Sequence, residues 1–386
     1  MIRSGGTPIR PLLLCMSHLP WDLVLQRPQH LLTRAAQDWR VVYFEEPRYE
    51  PPGPNLPRLD RREVAGGVEV AVPVLPYWDG VPGSVERMQR PLLDALLAEA
   101  GQPDVLWYYT PLAQAVAGHL SPGLVVYDCM DELSAFRGAS PQMLIEERRL
   151  MRRADLVFTG GQSLYEAKRS IRHDVHCFPS SIDAGHFARA RAGEVPEPPE
   201  LRDIPGPRIG WFGVVDERLD LELLAACARL RPDWSFVMIG PVVKIDPADL
   251  PRLANIHWLG GRSYADLPAH LAHWDAGLMP FAINEATRFI SPTKTPEYLA
   301  AGVPVVSTAI ADVIRPWGEE GLVEIAETAE AAIASLQDVL VRPRGPWLEA
   351  VDQQLSQISW DKTWNAMSGL ISKGRAGLAL ESVRSA

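Results

Sequence analysis

The strongest constraint in this sequence is an alternation of strand-like and helix-like segments that runs through the chain, stops, and starts again. The interruption, RARAGEVPEPPELRDIPGP at 189–207, is rich in proline and charge and has no hydrophobic period, so it reads as a linker. Before it come strands at Leu12–Met16, Val41–Glu45, Val105–Tyr109, Leu124–Asp128, Leu156–Thr159 and Val175–Phe178. Helices are expected over Pro28–Ala36, Val85–Ala100, Pro141–Arg153 and after Gln162, and two β-rich runs flank Gly66-Gly67 as a hairpin. After the linker come strands at Arg208–Phe212, Ser235–Ile239, Ile256–Trp258, Ala276–Pro280 and Val303–Ser307, with helices between them. Such βα repetition implies an α/β chain with parallel sheets covered on both faces, built twice. The expected units are 1–190, a linker at 191–207, and 208–357, followed by an amphipathic helix from Trp360 through Ile371.

Length agrees, because 386 residues exceed one ordinary core and suit two. No run of about 18 apolar residues occurs, and Leu12–Met16 is too short for a signal-peptide core, so a cytoplasmic protein is expected. A net charge of −10 argues against general nucleic-acid binding. Arg148, Arg149, Arg152 and Arg153 form i,i+4 pairs on one expected helix, either a solvated face or a peripheral membrane contact. The four cysteines are far apart and read as buried hydrophobes rather than metal or redox pairs.

Common phosphate-loop, dinucleotide and hydrolase motifs are absent, and no two aspartates stand one residue apart as a metal clamp would need. No metal site is expected. The informative stretch is SPTKTPEYLAAGVPVVS, residues 291–307, where a loop carrying Ser291 and Thr293 opens a helix. Its start suits a diphosphate, with Lys294 as a compact positive charge and Glu297 able to accept from two ribose hydroxyls. A lysine at a helix start is unfavourable unless something anionic binds there. Gly213, Gly240-Pro241 and Gly260-Gly261-Arg262 follow strands of the second half, at the sheet edge where open α/β sheets bind ligands. In the first half His18, Asp22, Arg27, Asp128 and Asp131 follow strands in the same way, so a carboxylate or histidine there, Asp131 foremost, can position a substrate hydroxyl. Turn capping is the alternative for each.

The run Lys294-x-x-Glu297-Tyr-Leu-Ala-Ala-Gly-Val-Pro-Val-Val resembles the donor motif of family-4 retaining glycosyltransferases. Phe178-Pro-Ser-Ser-Ile-Asp183, Asn255–Gly260 and Leu271–Pro280 are similar to further segments of that family, in the same order. Trp21-Asp22 with Gln26–Leu31 resembles a branch linked to bacterial cell-surface polysaccharide synthesis. The resemblance implies the GT-B fold of two facing Rossmann-like domains, with residues 358–386 returning to the first. It implies a nucleotide-sugar donor, a saccharide or lipid-linked acceptor, and retention at the anomeric carbon, without a cofactor. Lys294 and Arg218 would grip the diphosphate. The family's second glutamate, eight positions before Glu297, is Phe289 here, with Asn284 or Glu285 as its substitutes. A nucleotide-sugar epimerase and a non-catalytic sugar-nucleotide-binding partner of a polysaccharide synthase remain open alternatives.

Overall fold

The computed structural model describes residues 10–51, 53–76 and 83–385, the last seven by backbone alone. Two sheets carry the chain. The first takes β1 (Leu12–Met16), β2 (Arg40–Phe44), β3 (Arg48–Glu50), β4 (Arg58–Val64), β5 (Val68–Pro76), β6 (Val105–Tyr108), β7 (Val125–Cys129), β8 (Leu156–Thr159) and β9 (Val175–Cys177). Its order is β3-β5-β2-β1-β6-β7-β8-β9, with β4 antiparallel to β5 through the Gly66-Gly67 hairpin. The second sheet, β12-β11-β10-β13-β14-β15, is parallel throughout, built from β10 (Arg208–Phe212), β11 (Ser235–Ile239), β12 (Ile256–Gly260), β13 (Ala276–Met279), β14 (Val305–Ser307) and β15 (Val323–Ile325).

Central strands are continuous apolar runs because both faces are covered. Leu12, Leu14 and Met16 of β1 enter one core, while Leu13 and Cys15 enter the core on the opposite face. That opposite core also takes Trp360, Trp364, Met367 and Ile371, so the long terminal helix Trp360–Ser385 does return to the first domain. Trp360 stacks on His30 with ring centroids 4.7 Å apart.

The boundary between the domains lies earlier than the sequence suggests. Ile182, Phe187, Leu201 and Ile204 are all buried in the core of the second domain. The stretch 191–207 is therefore only partly a free linker, and the first domain does not extend to residue 190. Four apolar anchors scattered among prolines and charges have no period, which is why the sequence does not reveal them. Among the elements without a sequence signal strong enough to place them are β3, β15 and the helix Arg344–Leu355, whose Trp347, Val351 and Leu355 close the second core.

Each sheet has one place where neighbouring strands lead their connections to opposite sides, β1/β6 in the first and β10/β13 in the second. In open α/β sheets ligands bind at the carboxyl ends of the strands beside such a switch point. Here those ends face each other across the interdomain cleft.

Candidate functional site

The cleft encloses a cavity of about 440 Å³ lined by both domains. From the second domain come the β10 and β11 exits, with Gly213 and Gly240, and the loop after β12, with Arg262 and Tyr264. The helix Lys294–Ala300 contributes Lys294 and Glu297, preceded by Ser291 and Thr293. From the first domain come Asp22–Arg27, Asp131, Gly160 and Ser180. Arg218 lies in the same wall, so most of the site residues read from sequence line one cavity, whereas Asn284, His18 and Asp128 do not.

Lys294 and Glu297 stand one helical turn apart. Glu297 is 8% exposed, and no hydrogen-bond partner of its carboxylate is found among the described residues. Burial pushes its pKa up, opposed by the charge of Lys294. Burial likewise pushes Lys294 down, with Arg218 adding repulsion and Glu297, Asp216 and Asp131 opposing it. In each group desolvation disfavours the charged form, and the attraction between the two only partly opposes it. The helix is only seven residues long, so the lysine rather than a macrodipole supplies most of the positive potential.

Backbone geometry makes room for that lysine. Gly213 has φ +144°, and a Cβ there would collide with Lys294 Cε and lie 2.5 Å from Nζ. The Nζ atom rests 5.7 Å from the Trp211 ring centroid. Gly240, at φ +151°, packs so closely on the Gly213 carbonyl that no side chain fits. Neither glycine is a plain turn residue. Both let two strand ends and one lysine share a single floor.

Three of the sequence-read residues have altered roles. Asn284 does not line the cavity; it is exposed and closes a turn with Thr287, whose N–H donates to Asn284 Oδ1 at 3.2 Å. Arg262 contributes surface, but its guanidinium turns away, donating to Glu200 at 2.6 Å and to the Leu259 carbonyl at 2.7 Å. Arg218 lies in the cavity wall but is engaged by Asp216 through Nε at 3.0 Å and Nη2 at 2.7 Å. Its charge still reaches Lys294 and Asp131.

On the acceptor side, Asp131 faces the cavity, and burial raises its pKa against the pull of Arg218 and Arg27. Arg27 and Asp128 form a bidentate pair at 2.8 and 3.0 Å, 2% and 0% exposed, and Arg27 also donates to the Phe178 carbonyl at 2.7 Å. Asp128 is thereby committed to structure. His18 does not line this cavity, and burial lowers its pKa to about 4. Phe289 packs on the core of the first domain, and Glu285 is exposed beside Arg288 at 3.7 Å. Neither Phe289 nor Glu285 thus places a carboxylate in the cavity.

Sequence reasoning missed Tyr264 and Asp216. Tyr264 lines the cavity, stacks on His186 at 4.1 Å, and keeps a buried hydroxyl without a partner. Its position at the start of a helical run gives no sign of this.

Residues 206–340 match a family described as glycosyl transferases group 1. TuaH of Bacillus subtilis, a protein named as a teichuronic acid biosynthesis glycosyltransferase, is 28% identical over 236 residues, 56% of this chain and 59% of TuaH. The match thus spans less than two thirds of that relative's length. A sucrose-phosphate synthase from Thermosynechococcus elongatus superposes with a TM-score of 0.70 at 17% identity, covering 95% of this chain and all of that one. Alr3699/HepE of Anabaena, solved in complex with UDP and glucose, gives 0.65 at 14% identity, covering 93% and 99%. At such identities the structures speak for the fold. Residues 206–340 thus match the group 1 glycosyl transferases, and the chain around them has the two-domain GT-B fold.

Proposed function

We propose that this protein is a glycosyltransferase that moves a sugar from a nucleoside diphosphate sugar to a saccharide or lipid-linked acceptor in bacterial cell-surface polysaccharide synthesis. The observation that carries this reading is the pair Lys294 and Glu297, a lysine and a carboxyl group both desolvated and facing one interdomain cavity. A fold does not keep such a pair underneath an open cavity for stability alone, because the desolvation of each charge is not fully compensated there.

In this reading Lys294 holds the diphosphate and stabilises the charge that develops on it as the glycosyl bond breaks. Arg218 adds positive potential that its pair with Asp216 partly cancels. Glu297 accepts from the two ribose hydroxyls. Asp131 orients the acceptor hydroxyl from the facing domain. The chemistry needs no divalent metal where these cations neutralise the leaving group, so transfer should survive EDTA. Retention of anomeric configuration follows the family resemblance and is read directly by NMR of the product. UDP is the first nucleotide to test, since the Anabaena neighbour was solved with it. Docking on the inner face of a membrane is part of the proposal only through the helix Gln142–Arg153.

Calorimetric titration tests the site. Lys294→Ala should weaken UDP far more than uridine, since its partner is phosphate. Glu297→Ala should weaken both, by about 2–4 kcal/mol or roughly 30- to 1000-fold in Kd. Wild-type affinity in both folded variants would refute the donor site. Turnover of a nucleotide sugar by epimerisation, with no acceptor present, would refute the transferase.

A further inference from the structure

The two domains also meet beside the loop that leads into Lys294. The helix Gln162–Arg169 of the first domain starts at Gly161 without a capping side chain of its own and without an acidic residue in its first turn. First-turn N–H groups have no partner inside a helix and need one from outside. Here it comes from the other domain: the Ser163 N–H donates to Asp312 Oδ1 at 2.9 Å, across 149 positions of sequence. We infer that Asp312 is a positioning residue, a cross-domain cap that clasps the two halves of the cleft together and sets the loop before Lys294 against the first domain.

Gly161 shows that the close approach is built in. Its φ of −167° is ordinary extended backbone, so its own conformation does not require glycine. A Cβ there would collide with Asp312 Oδ2 and lie 2.8 Å from Ser291 Cβ, both in the second domain. The neighbouring domain, and not the local turn, is what excludes a side chain. Three further contacts join the domains on this side. Ser180 Oγ of the first domain donates to the Ser291 carbonyl at 2.9 Å, and both residues line the main cavity. Phe289 packs on the core of the first domain. Arg315 approaches Glu166 at 3.5 Å on the exposed rim. Chain on both sides of Lys294 therefore leans on the first domain, which holds the lysine's loop in place from two directions.

The clasp holds without being tight. Asp312 is 6% exposed, and burial raises its pKa, opposed by the Ser163 and Gln162 donors. Its second oxygen has no hydrogen bond of its own. A carboxylate taken out of water for one well-formed bond recovers only part of its desolvation cost. Separating the domains returns it to water at little cost, so the contact suits a joint that opens and recloses. The clasp is a property of the two domains whatever the cleft binds; only its effect on UDP rests on the donor reading above.

The test applies hydrogen–deuterium exchange and small-angle scattering to the full chain as wild type, Asp312→Ala, Asp312→Asn, Gly161→Ala and the Gly161→Ala/Asp312→Ala double variant, all without ligand. In Asp312→Ala the Ser163 amide should exchange about tenfold faster and the radius of gyration should rise, while β7 and β8 keep their protection. Asp312→Asn keeps an accepting oxygen and should restore most of the protection. Gly161→Ala, which extended backbone tolerates, should open the cleft to the same extent, and the double variant should open it no further. UDP should bind the opened variants about three- to tenfold more weakly, because only the closed fraction presents both walls. Unchanged Ser163 exchange in a folded Asp312→Ala, or scattering of Gly161→Ala identical to wild type, would overturn the clasp. If Asp312→Ala does not fold, Gly161→Ala decides alone. Opened variants of a protein that binds no UDP would leave the clasp standing and remove the donor site.

Discussion

Replacing Glu297 by glutamine should make the nucleotide-free protein more stable while making it a poorer binder. The carboxylate is 8% exposed and its pKa is raised by burial. A folded pKa above the unfolded one means that the native state binds more protons than the unfolded state between the two values. Stability therefore falls as pH rises from the ordinary value of 4.5 toward the folded one. An amide of the same shape removes that loss. A tenfold change in proton affinity on folding corresponds to about 1.4 kcal/mol, and losing the attraction to Lys294 offsets part of the benefit. A net gain of about 1–3 kcal/mol at neutral pH is therefore expected. The gain should be absent near pH 4, grow with pH, and level off in alkali. Chemical denaturation of wild type and variant from pH 4 to pH 9 measures it. In the same variant, UDP and uridine should both bind more weakly, less so than with alanine, because the amide oxygen still accepts. Equal stability at every pH would refute the claim that burial strains this carboxylate. A variant that is less stable at neutral pH would mean that the pair with Lys294 is a structural bond.

Gly213→Ala places a methyl group where Lys294 lies, at a φ that side chains rarely adopt, so UDP affinity should fall with a stability loss of about 1–3 kcal/mol. Unchanged titration and melting curves would disprove the shared floor. Trp364→Ala removes a side chain only 5% exposed between the terminal helix and β6, and should cost about 3–5 kcal/mol by denaturant unfolding. A loss under about 1 kcal/mol would show that this helix is not integral to the first domain. The helix Gln142–Arg153 exposes Leu144 and Ile145 beside Arg148, Arg149 and Arg152, while Arg153 turns inward to Tyr108 and Leu120. Vesicles of anionic lipid should therefore bind more strongly than neutral ones, with binding lost at high salt and on Leu144→Glu. Insensitivity to lipid charge would end the membrane reading.

Most of the fold is legible because buried parallel strands announce themselves: Leu12–Met16 or Val303–Ser307 can hardly be anything else between helical runs. The domain boundary is not, because Ile182, Phe187, Leu201 and Ile204 bury without any repeat. Each looks like an isolated apolar residue in a polar stretch until the second core is assembled around it. The short edge strand Arg48–Glu50 is hidden for a related reason. Its three residues are polar or aromatic and at least partly exposed, so they lack the alternation that marks a covered strand.

Residue type and spacing locate the site but cannot say which cations in it are free. Lys294 and Arg218 have the same formal charge, and both reach the cavity. What separates them is Asp216, two residues from Arg218 in a turn whose geometry brings the carboxylate against the guanidinium at 2.7 Å. Arg262 is removed in the same way by Glu200, which approaches from 62 positions away. Glycine spacing carries more than the sequence alone suggests. Gly213 and Gly240 read there as turns near phosphate, yet in the structure Gly213 leaves the space that Lys294 fills and Gly240 leaves the space that the Gly213 carbonyl fills. The lysine is thus held by shape rather than by a fixed carboxylate contact. That leaves its ammonium available to an incoming anion, whereas Arg218 would have to share with Asp216 whatever it binds.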